Sequence, residues 1–178
     1  MARIHITGAS GAGTTTLGRA LAMKLSCAHF DADDYYWLPT RPRYREKRAI
    51  EERRALLLRD LGPHASWVLS GSLVSWGQPL VPLFDRVVYL SVPTEVRLRR
   101  LRAREEERYA RDRDRTRAEF ERDCEEFLAW AAGYDDGGMD TRSRARHAAW
   151  LAALPCPVTR IEGERTVEEC VRLALAPT

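Results

Sequence analysis

Lysine is nearly absent: Lys24 and Lys47 are the two in 178 residues, and every other basic side chain is arginine. The bias reads as a compositional habit. A formal net charge of +3 is too small to argue for nucleic acid or an anionic membrane as partner. Cysteine is sparse, and Cys27, Cys124, Cys156 and Cys170 form no C-x-x-C pair and no His/Cys cluster of zinc spacing. Inert thiols in a reducing compartment are the expectation. No apolar run reaches membrane-spanning length. The opening residues read directly as a strand and not as a secretory signal, so a cytoplasmic location is expected. At this length a single domain spanning 1–178 can bury its own core without disulfides.

What is present begins at once. Ile4 and Ile6 mark a strand, glycines follow at 8, 11 and 13, and Leu17, Leu21 and Leu25 recur at helical spacing. Strand, glycine-rich turn and helix make the setting for a phosphate-binding loop, with backbone N–H groups and the positive end of the helix dipole offered to an anion. The spacing fits G-x-x-x-x-G-K-[ST], with Gly8 and Gly13 as outer glycines and Thr15 as the Mg²⁺-binding hydroxyl. Thr14 stands where the motif has lysine. An arginine habit would have put arginine there.

Residues 28–30 predict a short second strand, with Asp31, Asp33 and Asp34 at its C-terminal edge, where open α/β sheets bind ligands. Pro39, Pro42 and the charges from 41 to 48 mark a loop, in which Arg41, Arg43 and Arg45 are candidates to hold an anionic group. Ile50, Leu57, Leu58 and Leu61 predict one face of a helix ending at Gly62-Pro63. Residues 67–72 predict a third strand running into a tight turn, and 74–84 hold at most a short helix and loop. Residues 86–92 read as a buried parallel strand. Thr94 is the predicted cap of the next helix. From 97 to 126 eleven arginines face ten acids, a near-balance that suits a solvated helical hairpin or mobile flap and argues against a nucleic-acid arm. Phe120, Cys124, Phe127, Leu128 and Ala131 give a helical stripe, and a further helix runs from about 141 to 154. A last strand at 158–161 precedes a capping box, Thr166 to Glu169, with Val167, Cys170, Val171 and Ala174 inward. This alternation predicts a parallel sheet covered on both faces.

The loop at 8–16, Asp31 and Asp33, the Ser70-Gly71 turn and the R-L-x-x-R pattern at Arg100 and Arg104 resemble the small P-loop kinases: adenylate kinase, shikimate kinase, gluconate kinase and adenylate kinase-like proteins. The resemblance runs from Ile4 to Leu175. It implies a three-layer α/β P-loop NTPase fold, with a five-stranded parallel sheet of order 2-3-1-4-5, helices on both faces and a small helical lid. The substrate-binding segment would be about 31–62 and the lid about 100–126. It further implies ATP and Mg²⁺ as cofactors. Gly8, Ala9, Ser10, Gly11, Ala12, Gly13, Thr14, Thr15 and Thr16 would hold the phosphates, and Thr15 with Asp31 would serve the metal. Asp33 would orient or deprotonate an acceptor hydroxyl, and Arg100 would lie against adenine. Gly163 would correspond to the position where such enzymes wrap backbone around adenine.

Two residues depart from the family pattern: Thr14 for the loop lysine, and Ser70 where an aspartate is frequent. A cation about 4 Å from a phosphate charge is worth roughly 4 kcal/mol at an effective dielectric near 20. The expectation is that Arg104, with Arg108 or Arg111, closes over the β- and γ-phosphates in its place. The leading reading is an ATP-dependent small-molecule kinase, acting as monomer or homodimer on a nucleotide, nucleoside or hydroxylated metabolite, with no nucleic-acid or membrane partner. The alternatives are a nucleotide-binding regulator or slow ATPase without kinase turnover, favoured by Thr14 and Ser70, and an interaction module built on the charged 97–126 segment.

Overall fold

The computed structural model describes residues 2–41, 44–111 and 115–177. Its centre is β1 (Arg3–Gly8), buried along almost its whole length. Alternation puts Ile4 and Ile6 on one face and His5 and Thr7 on the other. β2 (Ala28–Asp31), β3 (Trp67–Ser70), β4 (Arg86–Ser91) and β5 (Val158–Glu162) complete a five-stranded sheet in the order β2-β3-β1-β4-β5, every pairing parallel. This is the order the resemblance implied.

Both faces are covered, as a parallel sheet requires. On one side Ile4, Ile6, Val88, Leu90 and Ile161 pack with Leu17 and Leu21 of α1 (Thr14–Lys24), Val96 of α4 (Thr94–Tyr109) and Ala174 of α7 (Val167–Leu175). On the other side Trp67, Leu69, Val87 and Tyr89 meet Leu57 and Leu61 of α3 (Ile50–Leu61) and Trp150 and Leu151 of α6 (Arg144–Ala152). Leu80 and Val81 of a 3-10 helix (Gln78–Leu83) join that layer. A third, smaller core of Leu101, Phe120, Cys124, Leu128 and Ala131 joins α4 to α5 (Arg117–Ala132) as a helical hairpin.

Register aligns the site. Asp31 pairs with Ser70, and Ser70 with Ile6 two residues before the end of β1, so the C-terminal edges of three adjacent strands converge beside the glycine-rich loop.

Local expectations change in four places. Asp33 and Asp34 do not extend an open edge but lie in a short helix, α2 (Ala32–Tyr36), because the Asp31 side chain caps it by accepting from the Asp33 N–H. The inward side of α3 is Arg53, Leu57 and Leu61, while Ile50 and Leu58 are exposed; Arg53 competes for the interior by lying over the Tyr36 ring, 3.8 Å from its centre. Thr94 does not cap α4: the cap position is Pro93, and the Thr94 hydroxyl is taken by Asp135 and by the Arg97 guanidinium. In α7 the capping box forms, but Val167 is exposed and Ala174 is its fully buried contact.

Candidate active site

The loop between β1 and α1 is shaped by Gly11 and Gly13, at φ +81° and +95°. A Cβ on Gly11 would also lie 2.6 Å from the Arg97 carbonyl oxygen, so this turn admits no side chain. Space beside Gly13 is open. Gly13 caps α1 without a side-chain bond, leaving the first-turn N–H groups with no intrahelical acceptor and with the positive end of the helix dipole beside them. An anion fits such a cradle.

Beside it, the Thr15 hydroxyl donates to Asp31 Oδ2 at 2.7 Å, and Ser70 donates to the same oxygen at 3.2 Å. Asp31 Oδ1 accepts from the Asp33 N–H at 3.0 Å, so the cap of α2 fixes the two carboxylates relative to each other. Ser70 is thus the polar support of Asp31, and His29 Nε2 stands 3.0 Å behind it. Burial lowers the His29 pKa, opposed by the attraction of Asp31. The protein crowded around Asp33 raises its carboxyl above the ordinary range although the side chain opens into the cleft. Repulsion from Asp31 adds to the rise, and Arg142 and Arg104 oppose it.

These groups open into a cleft of about 740 Å³, a volume that suits a small-molecule site. Ala9, Ser10, Gly11, Thr14 and Thr15 form one wall with Asp31 and Asp33; Tyr36, Trp37 and Tyr44 form another. Arg104 and Arg108 reach the cleft from α4, both ion-paired to Glu105. Gly8, Ala12, Gly13 and Thr16 build the loop behind that wall. Arg100 points elsewhere, pairing with Glu164 at 3.1 Å beside Gly163, in the turn after β5. Of the arginines expected to hold an anion, Arg45 is committed to Asp123 of α5, Arg41 is exposed outside the cleft, and Arg43 lies outside the described residues. Arg111 follows the end of α4 and does not line the cleft.

The sequence reading missed Arg142. Its Nη2 donates to the Gly8 carbonyl at 2.8 Å and its Nη1 lies 3.5 Å from Ser10 Oγ, both in the glycine-rich loop. Burial lowers its pKa from the usual arginine value, against the attraction of Asp33. The residues after it are locked: Ser143 caps α6 and donates to the Gly138 carbonyl. His147 lies fully buried between Tyr134 (2.8 Å) and Thr7 of β1 (3.2 Å). Desolvation, and next the charge of Arg142, push the His147 pKa down to about 3, so the ring is neutral.

A family profile described as an AAA domain matches residues 4–122. The uncharacterized protein YqaC of Bacillus subtilis (strain 168) is 47% identical over 168 residues, 94% of this chain and 92% of its own length. A gluconokinase of Arabidopsis thaliana is 43% identical over 49 residues, 28% of this chain and 26% of that enzyme. Among solved structures, the shikimate kinase of Bacteroides thetaiotaomicron superposes with a TM-score of 0.54 at 21% identity, over 96% of this chain and 94% of its own. At that identity the likeness concerns the fold.

Proposed function

The chain belongs to the AAA domain family and carries the three-layer fold of the small P-loop kinases, and from that premise we propose that it transfers the γ-phosphoryl group of Mg·ATP to a hydroxyl of a small acceptor. The observation that supports this best is the Thr15–Asp31–Asp33 arrangement at the mouth of the glycine-rich cradle. Thr15 and Asp31 are hard oxygen donors. Mg²⁺ usually takes only one or two protein ligands and completes its shell with phosphates and water, so this pair fits it. Bound there, Mg·ATP supplies the phosphoryl group and neutralises part of its own charge.

The chain's own residues do the remainder. The loop backbone from Gly8 to Thr16 holds the phosphate oxygens in place. Asp31 keeps Thr15 oriented and, through the cap of α2, sets the position of Asp33. Asp33 accepts the proton of the acceptor hydroxyl as its oxygen bonds to the γ-phosphorus. ADP leaves, and that proton is released to solvent. A carboxyl with a raised pKa is a stronger base than an ordinary one, which suits the role. Arg104 and Arg108 stand on the far wall, where they can meet the acceptor or the transferring group.

Incubation with Mg·ATP and a panel of nucleosides, nucleoside monophosphates and sugar acids, with ADP release as readout, tests the assignment. One or a few acceptors should raise ADP release well above the rate without acceptor. Release that no acceptor stimulates would leave the slow ATPase or regulatory reading, which Thr14 favours.

A further inference from the structure

We infer that Arg142 is the resident cation of the phosphate loop, supplying from the start of α6 the charge that Thr14 does not supply from α1. The inference rests on the reading of this cleft as a polyphosphate site and deepens it.

Three observations carry it. First, the guanidinium is seated on the loop itself, on the Gly8 carbonyl and near Ser10, while Thr14 lines the same cleft. Second, the charge has no contacting ion pair, although Asp33 attracts it from across the cleft. Among the described residues no carboxylate lies within ion-pair distance of Arg142, and its Nε is buried without a hydrogen-bond partner. A guanidinium partly withdrawn from water, with one good carbonyl acceptor and its Nε buried, is costly, and an anion entering the cleft relieves that cost. Arg97 makes the contrast. It also touches the loop, through the Ser10 carbonyl, but its other donors are spent on Val92, Thr94, Ala131 and Asp135, so it is a structural strut. Arg104 and Arg108 share Glu105. Third, Arg142 is held in place by a packed element: Ser143 caps α6 and His147 ties it to β1 through Thr7.

On this inference the loop does not depend on Arg104, Arg108 or Arg111 closing over it for its charge. With Arg142 in place, the phosphate site has its cation in the unliganded protein.

The test is calorimetric binding of two probes, Mg·ADP and inorganic tripolyphosphate, to the full chain. R142Q should weaken both by roughly 10- to 100-fold, the range of a hydrogen bond to a charged group. R142K should lose less. T14K placed in the R142Q background should restore most of the lost affinity, because a lysine there returns the charge by the usual route. Binding of both probes by R142Q at wild-type strength overturns the inference, as does a T14K effect of equal size with and without Arg142. Should R142Q fail to fold, T14K in the otherwise wild-type chain decides. Tightening of less than about fivefold supports a loop already supplied with a cation, and any greater tightening overturns it. A wild-type chain that binds neither probe rejects the polyphosphate reading of the cleft itself, a separate outcome.

Discussion

Asp33 is under opposed demands. Its raised pKa means that ionising it costs the folded protein stability, and the stability associated with the protonated form is lost as pH rises through that pKa. D33N should therefore raise the melting temperature at neutral pH while reducing phosphoryl transfer by at least about a hundredfold, the lower range for loss of a general base. Thermal melts and acceptor-dependent ADP release check the two halves. An unchanged transfer rate would remove Asp33 from the chemistry. At this scale the sequence was informative where the signal was local. Thr15 sits at a fixed offset from Gly8, and Asp31 closes the strand whose edge faces the loop, so both could be placed from spacing. Arg142 could not. Its contact with Gly8 spans 134 positions, it follows an ordinary turn, and in a chain whose basic residues are nearly all arginine its type carries no information.

The connection from α5 to α6 brings Arg142 to the loop, and Asp135 pins it. That carboxylate accepts from the Thr94 hydroxyl and from Arg97 at the start of α4, and from Arg144 at the start of α6. Arg97 is 1% exposed, so removing its partner strands a buried charge. D135A should cost about 3 kcal/mol by urea denaturation, as breaking one side of a buried pair does, and should weaken nucleotide binding as the connection loosens. A loss near zero would show that Arg97 finds sufficient partners in the Val92 and Ala131 carbonyls. The capture of Thr94 by this cluster is also why a reading of caps from sequence misplaced the α4 cap: the competing partner lies 41 residues away. By contrast, the ion pairs of the α4–α5 hairpin, such as Arg102–Glu125 and Arg117–Glu106, are solvent-exposed and should contribute little to stability. The balanced charge of 97–126 was legible as a solvated hairpin, and a charged surface is what these pairs form.

For the whole molecule, two buried neutral histidines beneath the site link its stability to pH. His5 is held at about 4 by burial, against a bond from its ring to the Leu69 carbonyl, and His147 at about 3. Both lie below the ordinary 6.5, so the unfolded chain takes up protons first as pH falls and stability drops. Between pH 7 and 5 each histidine can remove up to about 2 kcal/mol, at 1.36 kcal/mol per pH unit below 6.5. Urea midpoints measured across that window should fall steadily. Flat midpoints would mean the rings take up protons without unfolding the chain.

The parallel sheet and its two-sided cover were readable because hydrophobic period and glycine turns are local features, while the strand order came from the resemblance to the small P-loop kinases. The grouping of loop and carboxylates at one sheet edge followed from that topology. The central claim, that this edge is a Mg-nucleotide site, is tested most directly by titrating ATP into the wild-type protein with and without Mg²⁺ in a calorimeter. The account predicts binding that tightens at least about tenfold, or 1.4 kcal/mol, when Mg²⁺ is present. ATP that fails to bind, or binds equally well in chelator, would contradict it.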